Sequence, residues 1–194
     1  CYWQFVRAWK KAGGTALCIG EDGYEALDPN LRANSDEYYR VDSMHDYGQM
    51  YRAVAHFAEK FGKPDWLESN NEYWLTQDAA LRTDFNIVTG DKSDTVGRFR
   101  NKSAMKAYYA AANVPTARWH LVSTLEEGRK FVEKVGYPVI VKPDNGMGAA
   151  ATWKLKNDAD LEDFYQRELP TQYIMEEFVY GTIVSYDGIT DQDN

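Results

Sequence analysis

Two lysines and a small-residue loop are the features of this sequence whose types and spacing suggest chemistry. Lys102 opens a predicted helix, and Lys142 stands at the last position of a predicted apolar strand. A buried strand tolerates lysine poorly because the ammonium must keep water or an anion, but at a strand end it can reach a cleft. The loop 144–150 carries Gly146 and Gly148, which let backbone N–H groups approach and cradle a phosphate. Taken alone, each lysine is more typical of a solvated surface charge. The two glycines alone are more typical of a plain hairpin turn.

The elements that would position these residues are predicted from periodicity and turn signals. A helix over 101–113 should end at Val114-Pro115, because a residue before proline disfavours the helical conformation. Ser123 and Glu126 form a capping-box pattern that predicts a helix closed by Gly136. Strands are predicted at 117–122, 139–141, 151–155, 172–176 and 182–189, with a further helix at 158–169.

The first half of the chain has a different rhythm. Helices predicted at 2–12, 46–61 and 71–82 alternate with strands predicted at 15–20, 38–41 and 64–69. This alternation indicates an α/β fold with a parallel sheet and right-handed crossovers. Because a doubly wound domain normally opens with a strand, we expect a first strand upstream of Cys1. The polar segment 84–100 predicts a boundary between residues 88 and 100, which gives domains 1–94 and 95–194.

Polar residues follow the third predicted strand of this first domain. Asn70, Asn71 and Glu72 come just after Leu67, and the carboxyl ends of parallel strands are where such sheets place ligands. These side chains could line a substrate cleft or cap the next helix, and we favour the cap, with Asn71 as the N-cap residue. The domain lacks a Gly-x-Gly-x-x-Gly segment, so a dinucleotide site is not expected.

Composition excludes several classes of protein. The 194 residues, of which 44% are hydrophobic and 27% charged, have the balance of a globular protein, and the net charge of -8 argues against nucleic acid as a partner. No apolar run is long enough to cross a bilayer, and no signal-peptide pattern opens the chain. Cys1 and Cys18 are too few for a disulfide framework, which suits a reducing cytoplasm. His45, His56 and His120 have no spacing that predicts a metal site.

Four segments of the second half, in this order, resemble the ATP-grasp superfamily of ligases. They are the helix from Lys102 to Val114-Pro115, the Tyr-Pro-Val-Ile-Val-Lys-Pro strand at 137–143, the loop at 144–150, and Met-Glu-Glu-Phe-Val-Tyr-Gly at 175–181. The resemblance covers residues 95–194 well. Residues 1–90 look like the domain that precedes the ATP-grasp domain in the carbamoyl-phosphate-synthetase-like branch. It implies a Rossmann-like parallel-sheet pre-ATP-grasp domain, followed by an incomplete α+β ATP-grasp domain with its first lobe and the start of the second.

The resemblance also implies roles for individual residues. Lys102 and Lys142 would contact ATP phosphates, and the loop 144–149 would close over them as a lid. The Glu177 carbonyl would accept from the adenine amino group, the Val179 N–H would donate to the ring, and Glu176 would line the pocket near Lys142. The implied ATP-binding residues are Lys102, Lys142, Asn145, Gly146, Met147, Gly148, Glu176, Glu177, Phe178 and Val179.

The sequence departs from the family pattern in three places. The loop holds only Gly146 and Gly148, fewer glycines than some members have. Ile183 stands where many members carry a ribose-binding acid, so Ser185 or Asp187 would have to supply that contact. The Mg²⁺ ligands of the family are expected beyond Asn194, so no metal ligand and no catalytic residue is predicted here. The chain alone is therefore expected not to turn over ATP.

The implied function is the ATP-binding part of a carboxylate-activating ligase. A small carboxylate would attack the γ-phosphate of Mg-ATP to give an acyl phosphate, and an amine or similar nucleophile would displace phosphate. One alternative is a nucleotide-binding module without catalysis, or a degenerate subunit. A second alternative is a Rossmann-type cofactor protein, but the absence of the Gly-x-Gly-x-x-Gly segment argues against it. The sequence leaves the carboxylate, the nucleophile and the oligomeric state open, a homo-oligomer included.

Overall fold

The chain divides after Arg100 into two units, Cys1–Arg100 and Asn101–Asn194. The computed structural model describes residues 2–146 and 151–188. The first unit contains helices α1 (Trp3–Lys11), α2 (Pro29–Asn34), α3 (Tyr47–Phe61), α4 (Leu75–Asp84) and α5 (Gly97–Arg100), and strands β1 (Leu17–Gly20) and β2 (Glu37–Arg40). The second contains helices α6 (Lys102–Ala111), α7 (Leu125–Val135) and α8 (Asp158–Tyr165), and strands β3 (Trp119–Leu121), β4 (Val139–Pro143), β5 (Trp153–Leu155) and β6 (Tyr173–Glu177).

A parallel strand pair lies at the centre of the first unit. β1 and β2 pair in register with Leu17 opposite Glu37, and α2 lies in the connection between them. Helix α3 packs its buried face, which includes Met50 and Val54, against Val41 just after β2 and against Leu81 of α4. This arrangement confirms the α/β class that the alternating pattern predicts.

The strand predicted at 64–69 is not formed, because side chains take the hydrogen bonds that a neighbouring strand would otherwise take. The Arg82 guanidinium donates to the Leu67 carbonyl from Nε at 2.9 Å and from Nη2 at 2.7 Å. The Ser69 N–H donates to the Asp78 carboxylate at 3.0 Å, and the Ser69 hydroxyl donates to the same oxygen at 2.6 Å. The next helix begins as a 3₁₀ turn at Glu72–Trp74, capped by the Asn71 side chain, as predicted.

The buried Asp78 makes the stability of the first unit depend on pH. Burial raises the pKa of this carboxyl, and the hydrogen bonds from Ser69 oppose that effect only in part. An acid whose pKa is raised on folding stabilises the fold at low pH, and this contribution is lost as pH rises through the folded-state pKa. We therefore expect Asp78→Asn, which keeps an acceptor oxygen without the charge, to gain stability over wild type as pH rises.

Thermal unfolding of both proteins from about pH 4 to about pH 8 measures this difference. The exposed Asp65 offers a matched control, since Asp65→Asn removes a charge without a burial cost. If the difference in thermal stability between Asp78→Asn and wild type did not change with pH, ionisation of Asp78 would not destabilise the fold.

The second unit is organised by an antiparallel sheet of four strands, in the order β3-β6-β4-β5. On one face Val139, Val141, Tyr173 and Met175 are fully buried, and they pack with residues of α7 and α8. Because side chains alternate between the faces of a sheet, the intervening residues of β4 and β6 all point to the other face. That second face carries Ile140, Lys142, Ile174 and Glu176.

Three details of the second unit differ from expectation. Helix α7 is capped by Thr124, whose side chain accepts from the Glu127 N–H, one residue later than the capping box places it. Helix α8 ends at Tyr165, short of the predicted 169. Residues 182–188 form no strand, and Ile183 is 97% exposed, so nothing in the unit buries the apolar side chains that favour a strand there.

Candidate functional site

A buried carboxylate with two lysines lies on the second face of the antiparallel sheet. Glu176 faces Ile140 across the β4–β6 pair, and Lys142 is its diagonal neighbour on the same face. The Lys142 ammonium lies 2.6 Å from Glu176 Oε2, and the Lys106 ammonium, from α6, lies 3.1 Å from Glu176 Oε1. Lys106 also donates to the Ala117 carbonyl at 3.1 Å. The group is built from two strands and one helix.

The cluster of Lys106, Lys142 and Glu176 carries a net positive charge, because two ammonium groups share one carboxylate. Glu176 and Lys106 are buried, with residue exposures of 8% and 9%, whereas the Lys142 side chain is 28% exposed. Lys106 therefore balances the buried carboxylate from inside, and Lys142 is the member that reaches solvent. Such an arrangement suits an anion that approaches Lys142 from the solvent.

The start of the small-residue loop is fastened to the beginning of α6. The buried Asp144 accepts from the Ser103 N–H and the Ser103 hydroxyl, each at 2.8 Å. The Lys102 ammonium donates to the carbonyls of Pro143 at 2.9 Å and Gly146 at 3.0 Å. The Lys102 ammonium thus lies at the carboxyl end of β4, beside Pro143, which is the residue after Lys142. It holds the loop through the backbone carbonyls of the loop.

Asn145 and Gly146 belong to this fastened part of the loop, since Asn145 forms an isolated antiparallel bridge with Asn101. The predicted site residues Met147 and Gly148 lie outside the described residues. The lid predicted at 144–149 therefore stays a prediction.

The predicted hinge residues lie at the end of β6. The carboxylate of Glu177 accepts from the Arg118 backbone N–H at 2.7 Å and from Arg118 Nε at 2.6 Å. These bonds hold the pKa of Glu177 below its usual range, the backbone bond having the largest effect. The Phe178 ring lies beneath the Lys154 ammonium, 3.6 Å from Nζ to the ring centroid, and Val179 is exposed.

The register gives the distance between the two ends of the candidate site. Lys142 pairs with Ile174, whereas Glu177 pairs with Val139 at the opposite end of the same ladder. Three residue steps separate these pairs, which corresponds to about 10 Å along the strands. The lysine end and the hinge end are therefore both on the β4–β6 pair but do not touch.

The sequence interpretation missed three residues of this arrangement. Lys106 follows Lys102 by four positions, and residues so spaced share one helix face, which is a signal that could have found it. Asp144 follows the strand directly, but its carboxylate accepts from the Ser103 N–H, in the first turn of α6. The two residues are 41 positions apart, so no local pattern indicates this contact. Arg118 likewise meets Glu177 across 59 positions.

Within residues 2–146 and 151–188, no group of three or more His, Cys, Asp or Glu side chains is arranged to hold a metal ion. None of the helices in those ranges combines the length and apolar character needed to span a bilayer.

Residues 101–179 match the family described as carbamoyl-phosphate synthase L chain, ATP binding domain. The chain is 32% identical over 131 residues to an L-arginine-specific L-amino acid ligase of Bacillus subtilis, covering 68% of this chain and 31% of that ligase. It is 36% identical over 84 residues to D-alanine–D-alanine ligase A of Clostridium perfringens, covering 42% of this chain and 28% of that ligase.

The fold has a counterpart among solved structures. The biotin carboxylase domain dimer of 2-oxoglutarate carboxylase from Hydrogenobacter thermophilus, solved with MgADP, ADP and bicarbonate, aligns with a TM-score of 0.70 at 17% identity, covering 91% of this chain and 41% of that one. At this identity the likeness shows the fold alone. The chain spans less than a third of the length of the two curated relatives, at 31% and 28%.

Proposed function

We propose, on the premise that this chain belongs to the ATP-grasp superfamily, that its second unit binds ATP and that the protein uses ATP to activate a carboxylate. The convergence of two lysines at one end of β4 carries the proposal. Lys142 reaches solvent beside a buried carboxylate, and the Lys102 ammonium lies 2.9 Å from the carbonyl of the next residue, Pro143. Two cations next to a loop of small residues suit a polyphosphate better than a neutral ligand.

The nucleotide would lie along the β4–β6 pair. Its phosphates would meet Lys142 and Lys102, and its base would lie about 10 Å away, at the Glu177 carbonyl and the Val179 N–H. Phe178 and Glu176 would line the pocket between these ends. The backbone groups suit base recognition because they belong to a strand end that the sheet holds in place.

The loop residues Asn145, Gly146, Met147 and Gly148 would cover the phosphates. In the structure the Lys102 ammonium donates to loop carbonyls, so its proposed part is to fix the loop and add positive charge beside the phosphates. Closure of such a loop would exclude water from the reacting phosphate, which protects an acyl phosphate from hydrolysis.

The proposed reaction is ATP-dependent ligation. A substrate carboxylate oxygen would attack the γ-phosphate with release of ADP, and an amine-type nucleophile would then attack the acyl carbon and release phosphate. Magnesium, when bound, would neutralise phosphate charge; the described residues provide no ligand cluster for it, so we assign it no residue and no step. The first unit, with its parallel pair β1–β2, would be the Rossmann-like domain that precedes the ATP-grasp domain, and association into a homo-oligomer belongs to the same proposal.

The test combines binding and turnover. Calorimetric titration with Mg-ATP should show binding at concentrations up to about 1 mM, the upper end of ordinary substrate affinities. Phosphate release by the full-length protein should then be measured with a panel of carboxylates and amines. Binding without release for any pair would favour a nucleotide-binding module without catalysis, and no binding of ATP would refute the proposal.

A further inference from the structure

The junction of β3 and β6 departs from an ordinary antiparallel ladder at one position. Trp119 pairs with Glu176, so Arg118 faces Glu177 one step further along. The Glu177 N–H donates to the Arg118 carbonyl at 3.0 Å, which marks the two residues as a hydrogen-bonded pair. Such a pair normally exchanges a second bond, here from the Arg118 N–H to the Glu177 carbonyl. In the structure the Arg118 N–H instead donates to Glu177 Oε1, at 2.7 Å.

The carboxylate that intercepts this bond is itself held in place. Glu177 Oε2 lies 2.6 Å from both Nε and Nη2 of Arg118, while Oε1 accepts from the backbone N–H, so Arg118 holds both oxygens of the carboxylate. Arg118 Nη1 donates to the Lys134 carbonyl in the last turn of α7, at 3.1 Å. The Glu177 side chain is therefore anchored through Arg118 to a helix, although the arginine side chain is half exposed.

We propose that the Glu177 carboxylate keeps its own backbone carbonyl out of the sheet ladder and so presents that carbonyl to the amino group of a six-amino purine. This rests on the proposed function, in which the carbonyl meets the base. The Arg118 N–H has a single hydrogen, and the carboxylate takes it. Glu177 is thus a residue that sets the choice of adenine over a six-oxo purine without its side chain touching the base.

Removal of the carboxylate should let the ladder close. In Glu177→Ala the acceptor that the register offers to the Arg118 N–H is the carbonyl at position 177, which would turn toward β3 and use one of its two lone pairs there. A six-oxo base such as hypoxanthine has no amino group to donate and would instead present its own oxygen, also an acceptor, to the carbonyl at position 177. The change in the ratio of ATP to ITP affinity between wild type and variant therefore reports on this carbonyl. The phosphates and the ribose of the two nucleotides are identical, and the other ring position at which the bases differ, N1, would face the Val179 N–H, which the substitution leaves in place.

The experiment measures this ratio by competition of ATP and ITP against a fluorescent ATP analogue. Wild type should prefer ATP, and Glu177→Ala should reduce the preference about fivefold, the factor that one ordinary hydrogen bond supplies. Glu177→Gln, which keeps an acceptor oxygen of the same reach, should retain most of the preference. Glu162→Ala is the matched control, because it removes an exposed carboxylate paired with Arg129 on the helices of the same unit.

A second measurement needs no substitution. The amide proton of Arg118 should shift in NMR spectra as the Glu177 carboxyl titrates, at a pH below the usual range of glutamate. A flat response, or an unchanged ATP-to-ITP ratio in Glu177→Ala, would overturn the inference. If Glu177→Ala and Glu177→Gln lost the preference for ATP equally, the effect would be due to the charge of Glu177. That result would also overturn the inference. Failure of wild type to bind either nucleotide would instead refute the proposed function on which the inference rests.

Discussion

Lys142→Met is expected to weaken ATP binding tenfold to a hundredfold while the fold remains intact. Lys142 is the solvent-reaching member of the cluster, so its ammonium is the one that can meet a phosphate without displacing buried contacts. A charged hydrogen bond contributes about 1.5–3 kcal/mol, which corresponds to that range of affinity. Methionine keeps most of the apolar stem of lysine, so the change removes the charge with little loss of packing.

The fold should survive because Glu176 is not left without a partner. Lys106 stays 3.1 Å from the carboxylate, so the net charge of the cluster falls from positive to neutral. Calorimetric titration with Mg-ATP measures the affinity, and Lys134→Met, at an exposed position of α7, controls for the overall loss of one positive charge. If Lys142→Met bound ATP as tightly as Lys134→Met does, the lysine would have no part in phosphate binding.

Local patterns were sufficient to predict the α/β class and most of its elements. Strand β4 is recognisable from its Val-Ile-Val run, and α7 from its acidic first turn and the closing Gly136. The segment 64–69 is apolar enough for a strand, yet a buried arginine and a buried aspartate from α4 take its backbone bonds. No window of local sequence contains both sides of that competition, so periodicity could not decide it.

The candidate site shows the same division. Lys102 and Lys142 are recognisable because each stands at the end of an element, where a charge can reach solvent. Lys106 joins them because the β4–β6 register brings Glu176 beside Lys142, and because α6 places the Lys106 ammonium 3.1 Å from Glu176. Register is set by contacts far apart in sequence, so the three-residue cluster could be found only in three dimensions.

Lys106→Met is expected to lower the free energy of unfolding by about 2–3 kcal/mol. Loss of one partner of a buried ion pair typically costs about 3–5 kcal/mol, because the remaining charge stays buried without compensation. Here Lys142 continues to pair with Glu176, so the cost should fall at or below the lower end of that range. The Ala117 carbonyl would also lose the hydrogen bond that Lys106 now donates. Urea denaturation of wild type and variant measures the difference.

The matched control is Lys130→Met in α7. Lys130 pairs with Glu126 and Glu127 on the surface, with more than half of its side chain exposed at 57%, and exposed pairs of this kind add little to stability. The two substitutions are chemically identical and differ mainly in burial. Equal losses of stability in Lys106→Met and Lys130→Met would contradict the buried cluster.

Glu176→Gln gives the decisive comparison for the same cluster. If Lys106 stabilises the unit by balancing the Glu176 charge, that role disappears once position 176 is neutral. The double variant should then lose less stability than the sum of the two single variants, with a coupling of about 1–2 kcal/mol, in the range measured for residues in direct contact. Strict additivity would mean that Lys106 acts through its bond to the Ala117 carbonyl and its packing, and that the charge of Glu176 is balanced by Lys142 alone.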